Sequence, residues 1–199
     1  MMKRHALFLC VFSMISFNIE AQQSYSDSLR AFINNYTLNH GVVKNKDQQY
    51  LQFFPIDGKA RINAGFEPVK NAEWFNLPTS SGRSKMYRPY GKLSFVYEGA
   101  TQELYVYQSQ ALLLDPKHAD HLFLPFTDLT SGKESYETGR YIDLFISDIK
   151  DNQVTVDFNK AYNPYCAYVS GIYSCPIPPK ENRLKVAIKA GEKKYLKEH

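Results

Sequence analysis

Turn chemistry is the feature of this chain that most restricts its fold. Beyond Trp74 it returns every 8 to 12 residues, at Pro78, Ser80-Ser81-Gly82, Tyr90-Gly91 and Glu98-Gly99-Ala100. Intervals that short are strand-sized rather than helix-sized. KLSFVYEGATQELYVYQ reads as a hairpin, with Leu93, Phe95 and Tyr97 on one face. Opposite them stand Leu104, Val106 and Gln108, or the alternate set. Alternation also marks a strand over 60–66 and a last strand over 183–191, while 140–146 and 153–159 read as a second hairpin-like unit. Ahead of these, Leu29, Phe32, Ile33 and Tyr36 recur at helical spacing over 26–39, with Ser26 or Asp27 as N-cap. A second short helix is expected over 119–122. The pattern predicts a mainly β chain, an antiparallel β-barrel or sandwich with an N-terminal amphipathic helix.

The first residues lie outside that argument. Lys3-Arg4-His5 precedes a 14-residue apolar run, 6–19, and Ala21 closes the segment on a small side chain. This is the layout of a secretory signal peptide over 1–21, cleaved after Ala21, and the run is shorter than the ~20 residues a membrane span needs. A single mostly-β domain is expected over 22–199, exported to a periplasmic or extracellular location, with no membrane span after cleavage. Losing Lys3, Arg4 and Glu20 leaves 22 basic and 19 acidic side chains. So small and scattered an excess excludes a nucleic-acid partner, which requires a concentrated basic face. The lysine-rich tail over 185–197 reads as a solvated edge strand and fraying terminus. Fifteen tyrosines and thirteen phenylalanines favour strands and amphipathic contact surfaces without naming a ligand.

Cleavage also removes Cys10, leaving Cys166 and Cys175 in a bend rich in tyrosine and proline. In an exported chain, two cysteines with eight residues between them are expected to form one disulfide, worth about 2.5–3 kcal/mol in the chain-entropy model. Other readings are weaker. A zinc site could join the cysteines to His118 and His121, but the spacing is loose for zinc, so no metal is expected. The spacing also denies a Cys-x-x-Cys redox pair. A Cys–His nucleophile could draw on His40, His118 or His121, yet no nucleophile elbow, phosphate loop or metalloprotease motif occurs. No cofactor is expected.

Polar residues cluster just before the cysteine loop: Asp128, Thr130, Tyr136, Arg140, Asp143, Asp157, Asn159 and Asn163, with Tyr168 inside the loop. Arg140 and Asp143, three apart on a strand, point to opposite faces and do not pair with each other. Arg140 could meet Asp157 or Asp128 instead. One account is a structural ion pair with Asx turns. The other is a polar pocket at one barrel mouth, where Arg140 binds an anionic or sugar ligand between aromatic walls.

HLFLPFTDLTSGKESYETGRYIDL, VDFNKAYNPYCAY and YSCPIPPKENRLKVAIKAGE, with FFPID, LPTSSGR and LYVYQ before them, resemble the bacterial family of domain of unknown function (DUF) 1684. The likeness runs from about Leu51 to Gly191. It implies a single mostly-β domain and carries over no activity and no catalytic residues. Two positions depart from the family pattern: Glu137-Thr138-Gly139 stands where a run of glycines is common, and the cysteine loop is a residue longer, with Val169 at a commonly polar position.

Three functions follow as expectations. The first is an exported module binding a small polar molecule or glycan near Arg140, Tyr136 and Tyr168. The second is a cell-envelope structural or interaction protein whose aromatic surface docks a protein partner. The third is a hydrolase using Asp143, Asp157 or Asp128 as acid and base. Whether the chain is an enzyme is left open by its residues.

Overall fold

The computed structural model describes residues 23–197, so the expected signal peptide lies outside the described residues. The chain divides into two compact units after Asn39.

The first unit is helix α1, residues 23–38. It begins earlier than its apolar spacing suggested, so Ser26 and Asp27 lie inside it rather than capping it. Asp27 instead accepts from Arg30 one turn later at 2.7 Å, and the rings of Phe32 and Tyr36 lie 6.4 Å apart. These are ordinary (i, i+3) and (i, i+4) helix contacts.

The second unit holds seven strands: β1 (Arg61–Pro68), β2 (Phe75–Pro78), β3 (Ser84–Tyr97), β4 (Ala100–Ser109), β5 (His121–Phe126), β6 (Arg140–Phe145) and β7 (Gln153–Asp157). A single turn of helix, α2 (Gln110–Leu113), follows β4. The pairings are antiparallel in the order β6-β5-β4-β3-β1-β7, with β2 also on β3. The sheet curls into a half-barrel. The 14-residue β3 organises it: its first half pairs with β2, its second half with β1, and β4 runs along its other edge through an irregularity at Pro89/Gly91.

The β3–β4 hairpin is the one expected. Leu93 faces Leu104 and Phe95 faces Gln102, and the turn is made by Glu98 and Gly99, with φ of 50° and 77°. Two successive positive φ values match the twist of the flanking strands, which explains a glycine at the second position.

Two expected elements differ. Residues 140–146 and 153–159 do not form a hairpin, because β6 pairs with β5 and β7 pairs with β1, at opposite ends of the sheet order. The helix expected over 119–122 is absent; β5 begins at His121, and the helical turn lies earlier, in α2.

Residues 183–191 are extended but make no strand ladder. Leu184, Val186, Ile188 and Ala190 are buried, so the alternation was read correctly. Only scattered bonds tie this segment to the chain beside it, such as Leu184 N to Thr127 O at 2.8 Å and Leu129 N to Val186 O at 3.1 Å. It plugs the half-barrel, packing in one core with Leu93, Leu104, Leu124, Val156 and Phe158. The tail beyond is held too: Tyr195 is buried with Tyr168 and Leu51, and Lys197 pairs with Asp47 at 2.8 Å.

The outer face carries a second, aromatic cluster of Leu77, Tyr87, Tyr107, Phe123 and Tyr141, flanked by Phe75, Tyr105 and Tyr162. Five of the fifteen tyrosines stand here, an amphipathic side chain suited to a face that is dry at one end of the ring and polar at the other.

Candidate functional site

Strand β6 divides the polar residues between two faces. Arg140, Ile142 and Leu144 point into the half-barrel, while Tyr141, Asp143 and Phe145 point out.

Inside, Arg140 is 1% exposed and both of its Nη atoms are engaged. Nη2 donates to Asp128 Oδ2 at 2.7 Å and to Ile188 O at 2.8 Å, and Nη1 to Ala190 O at 2.5 Å and Glu192 O at 3.2 Å. Asp128 has no exposed side-chain surface, and its other oxygen accepts from the backbone and hydroxyl of Thr130 at 2.6 and 2.5 Å. Phe54 and Phe126 lie within 5.6 Å of the guanidinium carbon. Burial draws the Arg140 pKa below its ordinary value, against the pull of Asp128. Carbonyls that a ladder would occupy are thus taken by a side chain, which is why 183–191 is not a strand. Gly139 sets the entry to this arrangement. Its φ is +103°, and a Cβ there would run into Phe126 O and lie 2.9 Å from Pro178.

Most other expected site residues are equally committed. Glu192, wholly buried, accepts from Tyr168 Oη at 2.7 Å and Asn163 N at 2.9 Å, so Asn163 and Tyr168 meet around a carboxylate that sequence reasoning did not single out. Through the Glu192 carbonyl this group joins the Arg140 network. Asp157 and Asn159 form an Asx turn closing β7, Asn159 N and Nδ2 donating to Asp157 Oδ1 at 3.1 and 3.0 Å. Tyr136 packs half-buried against Val43, Leu51 and Tyr168, and burial raises its phenol pKa. Arg140 meets Asp128, one of its two expected partners.

Asp143 is different. Its side chain is 43% exposed. Oδ1 lies 2.8 Å from His121 Nε2 and accepts from Tyr162 Oη at 2.9 Å. Oδ2 has no partner among the described residues. Asp143 stands opposite Phe123, with His121 opposite Phe145, and the imidazole meets the half-exposed Phe145 ring edge-on at 6.0 Å. Tyr141, one residue pair inward, stacks edge-on with Tyr162 at 5.8 Å. In its neutral Nε2–H form His121 donates to Asp143, leaving Nδ1 buried without a partner. His121 and Tyr162 were not expected as members of this group. Strand periodicity identifies His121 once β5 is taken as a strand, since His121, Phe123 and Pro125 then share one face.

The cysteine loop covers the inner part of this face. Cys166 and Cys175 are at disulfide distance, with Sγ atoms 2.18 Å apart. Tyr141 Oη donates to Pro176 O, and Ile177 N donates to Pro78 O at 2.8 Å. Ser80 Oγ touches Cys166 Sγ at 3.0 Å, and Thr79, Ser81 and Ser174 share hydroxyl hydrogen bonds beside it. His118 pairs with Asp115 at 2.8 Å rather than with sulfur. No cluster of three or more potential metal ligands occurs among the described residues. No helix among them is long and apolar enough to cross a membrane.

The model of the family described as "Protein of unknown function (DUF1684)" matches residues 46–193. The chain belongs to the DUF1684 family. The match spans the whole sheet, Arg140, Asp143 and both cysteines of the loop, and excludes α1. This DUF1684 chain is also similar to an uncharacterized protein of Haloarcula marismortui solved by solution NMR, with 31% identity, a TM-score of 0.66, and coverage of 90% of this chain and 99% of that one. No curated protein matches it.

Proposed function

We propose that this protein is an exported binding module for a small polar molecule or glycan, and that its ligand sits on the outer face of the sheet around Asp143. One observation carries the reading. Asp143 is held rigidly on β6 by two donors to one oxygen while its other oxygen is open, beside an exposed aromatic ring. A fixed acceptor next to an apolar surface is the usual composition of a sugar or polar-ligand site. Export is supported by the signal-like leader and by a cysteine pair at disulfide distance, which is compatible with an oxidising location. Thermal-shift screening of the purified protein against mono- and oligosaccharides and small polar metabolites tests it. At least one class is expected to raise the melting temperature, and Asp143→Asn to abolish that rise. A ligand whose shift survives Asp143→Asn sinks the assignment of the site.

The envelope-partner reading is favoured by a separate feature. Ile172 is 70% exposed and Ile177 40%, near the edge-on pair Tyr165 and Tyr173, on a loop the cysteines make rigid. Cross-linking in the native compartment checks it, and recovery of no partner counts against it.

A further inference from the structure

We infer that the ligand held at Asp143 is a cation, carrying an ammonium-type nitrogen to the open carboxylate oxygen. The inference rests on the outer-face binding reading and narrows it to one class of ligand.

Three observations point to charge. First, Asp143 Oδ1 is filled by His121 Nε2 and the Tyr162 hydroxyl, while Oδ2 has no partner among the described residues. Second, no lysine or arginine among the described residues pairs with it. Several carboxylates elsewhere do have such a partner: Asp128 meets Arg140, Glu67 and Glu103 meet Lys92, Asp47 meets Lys197 and Glu134 meets Lys189. A second carboxylate stands at the same strand end, where Asp148 Oδ2 accepts from Phe145 N at 2.9 Å and likewise has no basic partner. Third, the surroundings are aromatic. Phe145 presents a ring with 42% of its surface exposed, and the Tyr162 hydroxyl bonds the carboxylate at 2.9 Å.

These features act together on a cation. The open oxygen accepts a charge-assisted hydrogen bond from N⁺–H, and the ring faces are electron-rich toward a cation within about 6 Å. A neutral sugar engages only the hydrogen-bonding part of the site, and a uronic acid is repelled by both carboxylates. The raised phenol pKa of Tyr87, to which the Asp143 charge contributes after burial, agrees with a negative local potential.

The test compares ligands that share a ring and differ in charge. Backbone amide chemical shifts of the full secreted chain are followed by NMR on titration with glucosamine, N-acetylglucosamine and glucuronate, with choline as a second cation. Glucosamine or choline is expected to move the amides of His121, Asp143, Phe145 and Tyr162. Its affinity is expected to exceed that of N-acetylglucosamine by about tenfold, to drop about tenfold in Asp143→Asn, and to weaken as salt rises. Phe145→Ala, which leaves the carboxylate intact, is expected to cost severalfold. Equal perturbation by N-acetylglucosamine, or a stronger response to glucuronate, overturns the charge assignment and keeps the outer face as a binding site. Silence of these four amides toward both cations and both other sugars overturns the inference and the site together.

Discussion

Arg140 and Asp143 lie three residues apart on one short strand and have opposite fates. The arginine enters the half-barrel, loses all but 1% of its exposure and spends its donors on one carboxylate and three backbone carbonyls. The aspartate leaves the sheet on the other face, keeps 43% of its side-chain exposure and holds one oxygen in reserve. Side-chain alternation alone separates them. The difference teaches that a charged residue is a candidate for binding by virtue of its unspent valence, not of its charge. A buried ion whose partners are complete is part of the frame.

That contrast is broken most directly at Arg140. Arg140→Met leaves the Asp128 carboxylate buried without its counter-ion and three carbonyls of the interior segment without donors. A loss of about 3–5 kcal/mol is expected, read as a lower urea midpoint. Arg140→Lys rescues little of it, because an ammonium cannot span a carboxylate and carbonyls from residues 188, 190 and 192 in one plane. Arg140→Met combined with Asp128→Leu recovers part of the loss, since a matched apolar pair replaces a matched ionic one. A single variant within 1 kcal/mol of the parent removes Arg140 from the frame.

The cysteine loop comes second in size. Cys166→Ser with Cys175→Ser opens a ring of ten residues (sequence separation 9), for an expected cost of about 2.5–3 kcal/mol. Equal unfolding midpoints for the oxidised and the fully reduced parent chain show instead that Tyr141–Pro176 and Ile177–Pro78 hold the loop unaided.

The parts of this molecule that were legible in its sequence are the local ones. Glu98-Gly99 specified a two-residue turn, and alternation on either side specified the β3–β4 hairpin and β1. What failed was long-range. Residues 183–191 alternate like a strand because an extended plug buries every second side chain just as a strand does. The distinction lies in where the carbonyls go, and that depends on a guanidinium some fifty positions earlier in the chain. Strand β7 follows β6 closely, yet it pairs with β1, so Val156 faces Ile62 across 94 positions. The geometry around Asp143 was half visible for the same reason. The polar cluster before the cysteine loop contained Asp143, but its partner His121 depended on recognising β5 as a strand. The inward and outward members could be sorted relative to each other, while which face was the core could not.

His40 gives a titratable counterpart to this distinction. Its ring is buried, and Nδ1 accepts from the backbone N–H groups of Val42 and Val43 at 3.2 and 2.8 Å. Burial, helped by the charge of Lys44, lowers its pKa to about 4 from an ordinary 6.5. Between those values the unfolded chain binds the proton and the folded chain does not. Its contribution is therefore complete above pH 6.5 and is lost as pH falls toward 4, with an expected total on the order of 1–2 kcal/mol allowing for solvent screening. In His40→Gln the total loss of stability across this window shrinks by that amount; an unchanged loss assigns the acid sensitivity to other groups.

The smallest effect on stability is the most informative. Asp143→Asn keeps the shape of the side chain and an acceptor for His121 and Tyr162, and it removes a half-exposed charge with no lysine or arginine partner among the described residues. Exposed interactions of this kind contribute roughly 0–1 kcal/mol, so the unfolding midpoint is expected to move by less than about 1 kcal/mol in either direction. The same substitution is expected to cost ligand affinity about tenfold. A residue that can be changed with little loss of fold and much loss of binding is one whose open oxygen faces outward for a reason the frame does not supply. If Asp143→Asn instead destabilises the protein as severely as Arg140→Met, the carboxylate is a strut between β5 and the start of the cysteine loop, and both ends of β6 belong to the frame.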